Sequence, residues 1–202
     1  MDGYFGNPVK GGKCSKCECN SHGTLCNHKT GVCYCTTKGV TGDHCEKCET
    51  QNNYSGDPIN YSGEPIKSCF YDLATNYPFT FNLSKPEDKH YTAINFKNVP
   101  TNPEVDVNFS IACSVPAKIN LTYRPEFQDG SMVPENIVTK ETNCSSDLKF
   151  RFSKDDYMFG GKENTTFYVH LYDFQTPLWI NISFAQTPKM DMDLLGCQER
   201  II

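Results

Sequence analysis

Cysteine spacing constrains this chain of 202 residues more than any other feature. Nine of its twelve cysteines lie within residues 1–69, namely Cys14, Cys17, Cys19, Cys26, Cys33, Cys35, Cys45, Cys48 and Cys69. Large apolar residues are sparse between Cys17 and Cys69, where glycine and polar turn residues dominate. A segment of that composition cannot bury an adequate core, so it needs covalent cross-links in order to fold.

The chain also carries eight Asn-x-Ser/Thr sequons without proline at the middle position, more than composition alone predicts. They begin at Asn53, Asn60, Asn82, Asn108, Asn120, Asn143, Asn164 and Asn181. Sequons are glycosylated on surfaces of secreted proteins, and disulfides form in the same oxidising compartments. The two features together predict an extracellular protein, and we expect the eight asparagines to be N-glycosylation sites.

Charge and hydropathy exclude other classes. The formal net charge is −5 and the sequence has no basic patch, so no nucleic-acid partner is expected. The apolar runs are strand-sized, well short of the ~18 to 20 residues that span a bilayer, so no membrane-spanning segment is expected in this chain. The start, Met1-Asp2-Gly3-Tyr4, lacks the features of a secretory signal. We therefore expect a piece of a longer extracellular protein.

Residues 70–187 have a different composition, with two cysteines and twelve of the thirteen phenylalanines. Apolar and polar residues alternate in short runs such as Phe79-Thr80-Phe81-Asn82-Leu83, and clusters of turn-forming residues separate these runs. No long segment shows a helical period. The pattern predicts seven or eight strands in an antiparallel β-sandwich or jelly roll, with a domain boundary at Cys69.

Four sequons follow the polar phase of these predicted strands, at Asn82, Asn108, Asn120 and Asn181. Alternate side chains of a strand face opposite sides of its sheet. The four asparagines are therefore expected to face solvent, while the phenylalanine, isoleucine and leucine phase builds the core.

The cysteine-rich half resembles a laminin-type EGF module. The likeness rests on Cys17-Glu18-Cys19-Asn20-Ser21-His22, Thr30-Gly31-x-Cys33-x-Cys35, Gly42-Asp43-His44-Cys45-x-x-Cys48 and Tyr54-Ser55-Gly56-Asp57-Pro58. Spacing alone leaves many cysteine pairings open. The resemblance implies that residues 17–69 form one module with the pairs Cys17–Cys26, Cys19–Cys33, Cys35–Cys45 and Cys48–Cys69.

The same resemblance extends to the start of the chain. Gly3-Tyr4-Phe5-Gly6-Asn7-Pro8 and Cys14 are similar to the end of a preceding module, so residues 1–16 are expected to be its tail, with the partner of Cys14 upstream. Cys113 and Cys144 are the only cysteines between the framework and the C-terminal segment, and we expect them to pair. Cys14 and Cys197 are then left over, and we expect them to be unpaired or mispaired between chains.

A closer resemblance, to attractin and attractin-like proteins, covers roughly residues 3–187. It rests on Cys35-Thr36-Thr37-Lys38-Gly39-Val40-Thr41-Gly42-Asp43, Tyr77-Pro78-Phe79-Thr80-Phe81 and Tyr91-Thr92-Ala93-Ile94-Asn95-Phe96. It implies a laminin-type EGF pair followed by a β-domain just outside the membrane of a single-pass cell-surface glycoprotein. The implied role is a receptor or interaction module in signalling or adhesion, with an extracellular protein ligand or co-receptor. The C-terminal tail, residues 188–202, departs from that family, whose membrane helix and basic tail are expected near Met190.

No catalytic, cofactor-binding or metal site is expected, and the chain is not expected to be an enzyme. The sequence has no G-x-S-x-G elbow and no P-loop. His90 and His170 fall in strand-like segments, where a structural role is usual. Zinc ligands could come from two Cys-x-x-Cys pairs with His22, His28 and His44. The glycines and tyrosines of the EGF-like motif have no purpose in a zinc site, so the disulfide interpretation is favoured.

Two other functions stay open. Jelly rolls often serve as lectins, and Trp179 lies on the polar phase beside Asn181, where it can be an exposed platform for sugars, a cover for a sheet face or a residue packed under a glycan. Laminin-like matrix assembly is the other alternative, although the loop from Asn20 to Leu25 lacks the Asp-Pro-Asn element with which laminins bind nidogen.

The joint between the two halves is expected to be stiff. No Gly/Ser-rich or Pro-rich linker follows Cys69, so the joint does not have the composition of a flexible tether. Phe70, Tyr71 and Leu73 are apolar residues where a loose linker would be polar. We expect them to pack between the two domains and to hold one relative orientation.

Overall fold

The structure is a computed structural model that describes residues 2–62, 67–72, 74–97, 105–126, 134–153 and 164–186. These residues form fourteen β-strands and two short 3-10 turns. The strands are β1 (Tyr4–Gly6), β2 (Cys14–Lys16), β3 (Val40–Thr41), β4 (Lys47–Cys48), β5 (Tyr54–Gly56), β6 (Cys69–Asp72), β7 (Tyr77–Leu83), β8 (Thr92–Lys97), β9 (Val107–Cys113), β10 (Ala117–Glu126), β11 (Asn136–Cys144), β12 (Leu148–Phe152), β13 (Asn164–Tyr172) and β14 (Leu178–Gln186). The prediction of a mainly β protein is confirmed.

Turns and disulfides organise the first half. Strands are short there, and β3 pairs with β4 over two residues only. The buried core of this half is small and is built mostly of cystine sulfur: Cys19, Cys33, Val40, Cys45, Tyr54 and Cys69. The β1–β2 hairpin lies against it, since the backbone N–H of Gly6 donates to the carbonyl of His28 at 2.8 Å. Covalent cross-links therefore replace the apolar volume that the sequence lacks.

The second half is a sandwich of two sheets. One sheet has six strands in the order β11-β10-β13-β8-β6-β5, and the other has four in the order β12-β9-β14-β7. Neighbouring strands run antiparallel except for β6 and β8, which are parallel. The antiparallel sandwich expected from the alternating pattern is therefore confirmed.

The alternation of residue types decides which side of each strand faces the core. In β9 and β14 every second residue up to Cys113 and Phe184 is a buried Val, Phe, Ile, Leu or Cys, while the intervening residues, Trp179 among them, are half-buried or exposed. Phenylalanine rings fill the space between the sheets, and Phe184 stands edge-on to Phe109 at 4.3 Å and to Phe96 at 5.4 Å between centroids. Such edge-to-face pairs add about 0.5 to 1.5 kcal/mol each beyond the burial of their area.

Candidate interaction surface

The last strands of the cysteine-rich half join the sandwich directly. β5 pairs antiparallel with β6, where Tyr54 lies opposite Tyr71. β6 in turn pairs with β8, where Tyr71 lies beside Phe96. The Cys48–Cys69 disulfide ties β6 back to β4. The six-stranded sheet of the sandwich therefore ends in a strand of the EGF-like half, and we call this connection the strand seam.

Tyr71 packs against both cores. Its ring is edge-on to Tyr54 on one side, with centroids 5.0 Å apart, and edge-on to Phe79 on the other, at 5.2 Å. Tyr54 itself lies on Gly39, which has a φ of 81° and where any Cβ would collide with the tyrosine ring. Burial raises the pKa of Tyr54 well above its ordinary value, so the phenol stays protonated.

Phe70 occupies the opposite face of β6, because successive residues of a strand point to opposite sides. Its ring is 6.4 Å from that of Tyr168 on β13. The ammonium nitrogen of Lys97 lies 5.6 Å from its centroid. Leu73, which the sequence also assigned to the joint, lies outside the described residues. Of the two described junction residues, Tyr71 is thus the one that packs against both cores.

A second connection, the loop seam, forms where Thr36 to Lys38 pass alongside the start of β8. The backbone N–H of Lys38 donates to the carbonyl of Ala93 at 2.8 Å, and the N–H of Ala93 donates to Thr36 at 3.1 Å. The ammonium group of Lys38 lies 3.4 Å from the buried carboxylate of Asp88. Burial lowers the pKa of Lys38, and the Asp88 carboxylate opposes that effect. Two seams therefore fix the module on the sandwich.

His22 supports the loop seam from within the module. It is 3% exposed. Its Nε2 lies 3.0 Å from the carbonyl oxygen of Pro58, and its Nδ1 lies 3.1 Å from the hydroxyl of Thr37. A carbonyl oxygen only accepts, so Nε2 carries the proton and Nδ1 accepts from Thr37. Burial lowers the pKa of His22 and so favours this neutral form.

A cleft of about 160 Å³ opens where the two units meet, and we call it the seam cleft. The module contributes Leu25 and Tyr34 to it, and the sandwich contributes Glu87, His90 and Tyr91. Tyr34 and Tyr91 are 40% and 46% exposed. The described residues that line the cleft include no sequon asparagine. Tyrosines in such a setting are typical of protein-binding surfaces.

Tyr91 is held in place by His170 of β13. The two rings stack with centroids 5.4 Å apart, and the Tyr91 hydroxyl is hydrogen-bonded to His170 Nδ1. Burial raises the pKa of Tyr91 to about 12 and lowers the pKa of His170. The hydroxyl is therefore the donor and the neutral imidazole the acceptor, so the aromatic wall of the cleft has a defined orientation.

A second cleft, of about 470 Å³, also adjoins the strand seam. It is more polar, with Lys38, Glu49 and Lys85 in its wall. The sequon asparagine Asn53 lines it as well. An N-glycan on Asn53 would stand at this opening, which leaves the seam cleft as the better candidate for binding a partner.

Five disulfide bonds are present in the described part of the chain. Those of the module are Cys17–Cys26, Cys19–Cys33, Cys35–Cys45 and Cys48–Cys69. The fifth joins Cys113 at the end of β9 to Cys144 at the end of β11, and so links the two sheets of the sandwich. Cys14 is an exposed free thiol. Cys197 lies outside the described residues.

Most of the sequon asparagines are on strand surfaces. Asn82, Asn108 and Asn181 share the outer face of the four-stranded sheet, on β7, β9 and β14. Asn120 and Asn143 lie on the adjacent strands β10 and β11 of the other sheet. Asn82, Asn108 and Asn181 alternate along their strands with buried residues, so their amides have access to solvent.

The remaining three sequons differ from these and from one another. Asn53 is exposed and caps a 3-10 turn with a φ of 62°. Asn60 is half-buried: its Nδ2 donates to the carbonyl of Asn20, and its Oδ1 accepts from the backbone N–H of Lys67 at 3.1 Å. Asn164 begins β13, and its side chain is outside the described set.

In the described ranges, no three His, Cys, Asp or Glu side chains are grouped so that they could hold a metal ion. Nor does any helix there have the length and apolar character needed to cross a membrane. His90, expected in a strand, instead lies in the turn before β8, where its N–H donates to the carbonyl of Glu87 at 3.3 Å. That turn includes Glu87 and Asp88, the end of the turn-forming run that starts at Ser84.

The sequence alone did not single out Tyr34 or Tyr91. Tyr91 entered only as the first residue of the motif Tyr91-Thr92-Ala93-Ile94-Asn95-Phe96, and Tyr34 lies between Cys33 and Cys35, where the motif leaves the residue type open. The one available signal was His170, a polar residue in an apolar strand. Its partner, Tyr91, lies far from it along the chain.

Two family models match the chain: a laminin EGF domain over residues 17–69 and the attractin GBD-like domain over residues 70–186. The Caenorhabditis elegans protein tag-53 is 39% identical over 196 residues, which are 94% of this chain and 14% of that protein. Laminin subunit beta-1 of Drosophila melanogaster is 39% identical over 80 residues, 37% of this chain and 4% of the laminin. The chain therefore spans only a small part of the length of these relatives.

Among solved structures, a carbohydrate-binding module of the β-sandwich superfamily is similar with a TM-score of 0.36 and 11% identity, over 67% of this chain and 54% of that one. A likeness at that level does not indicate a shared ligand. The attractin GBD-like match, in contrast, covers more than half of the chain. This chain is a member of the attractin GBD-like family, with a laminin EGF domain directly before its β-sandwich.

Proposed function

We propose that this extracellular interaction module belongs to the outer region of an attractin-like cell-surface glycoprotein and binds a protein ligand or co-receptor without catalysis. The observation that supports this is the seam cleft, whose walls come from both units. Because two seams fix these units, the cleft exists before any partner arrives. A preformed surface avoids the ordering cost that a flexible joint would add to binding.

The size of the cleft favours a protein side chain over a small molecule. Sites for drug-sized ligands and cofactors are usually about 300 to 1,000 Å³, whereas the seam cleft is about 160 Å³. A single side chain of a partner fits such a volume. Tyr34, Tyr91 and His90 around it offer apolar rings with hydrogen-bonding tips, a combination common at the centre of protein interfaces.

Binding can be tested with the chain secreted from eukaryotic cells and applied to cells that display its ligand. Tyr34→Ala should weaken binding by about tenfold or more, since a central aromatic anchor contributes at least ~1.4 kcal/mol. Tyr61→Ala is the matched control, because Tyr61 is also an exposed tyrosine of the module and lies outside the cleft. Equal binding by both variants would remove the cleft from the proposal.

Treating the target cells separates the kinds of ligand. Mild proteolysis should abolish binding of the chain if the ligand is a protein. Binding that survives proteolysis but disappears after removal of cell-surface glycans would contradict the proposal and support a lectin function. Binding to isolated laminin matrix in the absence of cells would instead support the assembly function.

A further inference from the structure

One residue on the outer face of the four-stranded sheet differs from its neighbours in size and polarity. The face consists largely of small or polar side chains, such as Thr80, Ala112 and Ser183. Trp179, the single tryptophan of the chain, lies among them and is 50% exposed. Leaving so large an apolar surface in water is unfavourable. Something that covers the indole would stabilise this face.

The backbone holds Trp179 firmly in the sheet. Its N–H donates to the hydroxyl of Ser114 at 2.9 Å, and its carbonyl accepts from the backbone N–H of Ser114 at 2.9 Å. On the other side, β14 pairs with β7, and the residue directly opposite Trp179 is Asn82. Directly opposed residues of antiparallel strands have Cβ atoms about 4.5 to 5.5 Å apart. Asn82 is exposed and begins the sequon Asn82-Leu83-Ser84.

We propose that the N-glycan on Asn82 lies over the indole of Trp179, so that the chain covers its own tryptophan with its own sugar. The modification forms a bond between C1 of N-acetylglucosamine and Nδ2 of Asn82. The C1–oxygen bond of the lipid diphosphate donor breaks, the lipid diphosphate leaves, and one amide proton is lost. The first sugar ring then lies within reach of the neighbouring side chain.

The surfaces of a sugar ring and an indole ring are complementary. One side of the sugar ring presents C–H groups, and the indole presents a flat, electron-rich face. Stacking them removes apolar area of both from water. The indole is already placed by the sheet, so little freedom is lost when the sugar packs on it.

Asn181 is the competing source of a glycan, since it lies two residues from Trp179 on the same face. Its Oδ1 accepts a hydrogen bond from the hydroxyl of Thr80 on β7 at 2.7 Å. The amide nitrogen, on the other side of the same carbon, is thereby turned away from β7. A glycan on Asn181 is therefore directed toward Ala112 on β9, its paired neighbour. Of these two asparagines, only Asn82 faces Trp179 directly across the strands.

Because Trp179 is the single tryptophan, its fluorescence reports this contact without interference. The chain is secreted from eukaryotic cells, and quenching of the emission by acrylamide is measured. Ser84→Ala, which removes the Asn82 sequon, should increase the quenching constant roughly twofold, because one face of the ring becomes uncovered. Ser183→Ala removes the Asn181 sequon and is the matched control, for which no change is expected. Digestion of the folded parent with a glycosidase that cuts the bond between the first sugar and the asparagine should reproduce the Ser84→Ala result.

The proposal fails if Ser84→Ala and the parent are quenched equally. It fails also if Ser183→Ala alone increases quenching, since the Asn181 glycan would then be the cover. Peptide mass spectrometry of the secreted parent must show a glycan on Asn82, and an unmodified Asn82 would overturn the proposal outright.

Discussion

The ring of Tyr71 stands edge-on to the ring of Tyr54, with their centroids 5.0 Å apart, and this pair connects the core of the EGF module to that of the β-sandwich. Phe79 continues the contact on the sandwich side, 5.2 Å from Tyr71. The two domains thus share both a sheet and an aromatic cluster. Their relative orientation is a property of packing, and it can be disturbed by a single substitution.

Tyr71→Ala should therefore loosen the joint. We expect a loss of about 2 kcal/mol in the free energy of unfolding, the value of one largely buried aromatic side chain, together with a broader range of domain angles in small-angle scattering. Tyr77→Ala is the control: Tyr77 is 56% exposed and packs on Phe79 from the strand end. Its effect should stay within about 0.5 kcal/mol. An unchanged scattering profile for Tyr71→Ala would show that the backbone pairing alone holds the joint.

His22 should make the module sensitive to acid. Burial lowers its pKa in the folded chain below the ordinary value of 6.5. Below that pH the unfolded chain binds more protons, so stability is greatest above pH 6.5 and falls as the pH drops. The slope from this residue is at most about 1.4 kcal/mol per pH unit.

The measurement is urea unfolding between about pH 7.5 and pH 5. His22→Gln, which keeps a donor and an acceptor but does not titrate, should flatten the pH dependence. His28→Gln replaces an exposed histidine and should leave it as in the parent. Identical slopes for the parent and His22→Gln would contradict the role assigned to His22.

The Cys113–Cys144 disulfide, although it lies at two strand ends, should contribute substantially to the free energy of unfolding. It closes a loop with a sequence separation of 31 residues, for which the chain-entropy relation gives about 3 to 4 kcal/mol. Replacing both cysteines by alanine should lower the urea midpoint accordingly, whereas Cys14→Ser, at an exposed free thiol, should not. Non-reducing peptide mapping of the parent should recover this pair, and a bond from Cys113 to the module instead would refute the two-domain division.

Glycosylation should be uneven among the eight sequons. We expect glycans on Asn82, Asn108, Asn120 and Asn181 in protein secreted from eukaryotic cells, because these asparagines lie on the outward phase of their strands. In contrast to the expectation from its sequon alone, Asn60 should be largely unmodified, since its amide nitrogen donates to the carbonyl of Asn20 inside the module. Site-resolved mass spectrometry decides the matter. High occupancy of Asn60 would mean that this contact forms only after the sugar has been attached, or not at all.

Local patterns in the sequence determined the class of each half. The cysteine framework with its glycines and turn residues resembles a known module, and a period of two identifies strands together with the side that each residue faces. Both patterns extend over only a few residues, so they can be recognised in the sequence without knowledge of the fold. They were sufficient for the EGF module, the β-sandwich and the outward phase of Asn82 and Asn181.

The tertiary structure decided what those patterns place side by side. The contact of Tyr91 with His170, the pairing of Asn82 with Trp179 and the position of β5 at the end of a sandwich sheet all join segments far apart in the chain. Strand order and register set these pairings, and a shift of one residue would turn each side chain to the other face. Register is fixed by the burial of the whole core, which no short stretch of sequence contains.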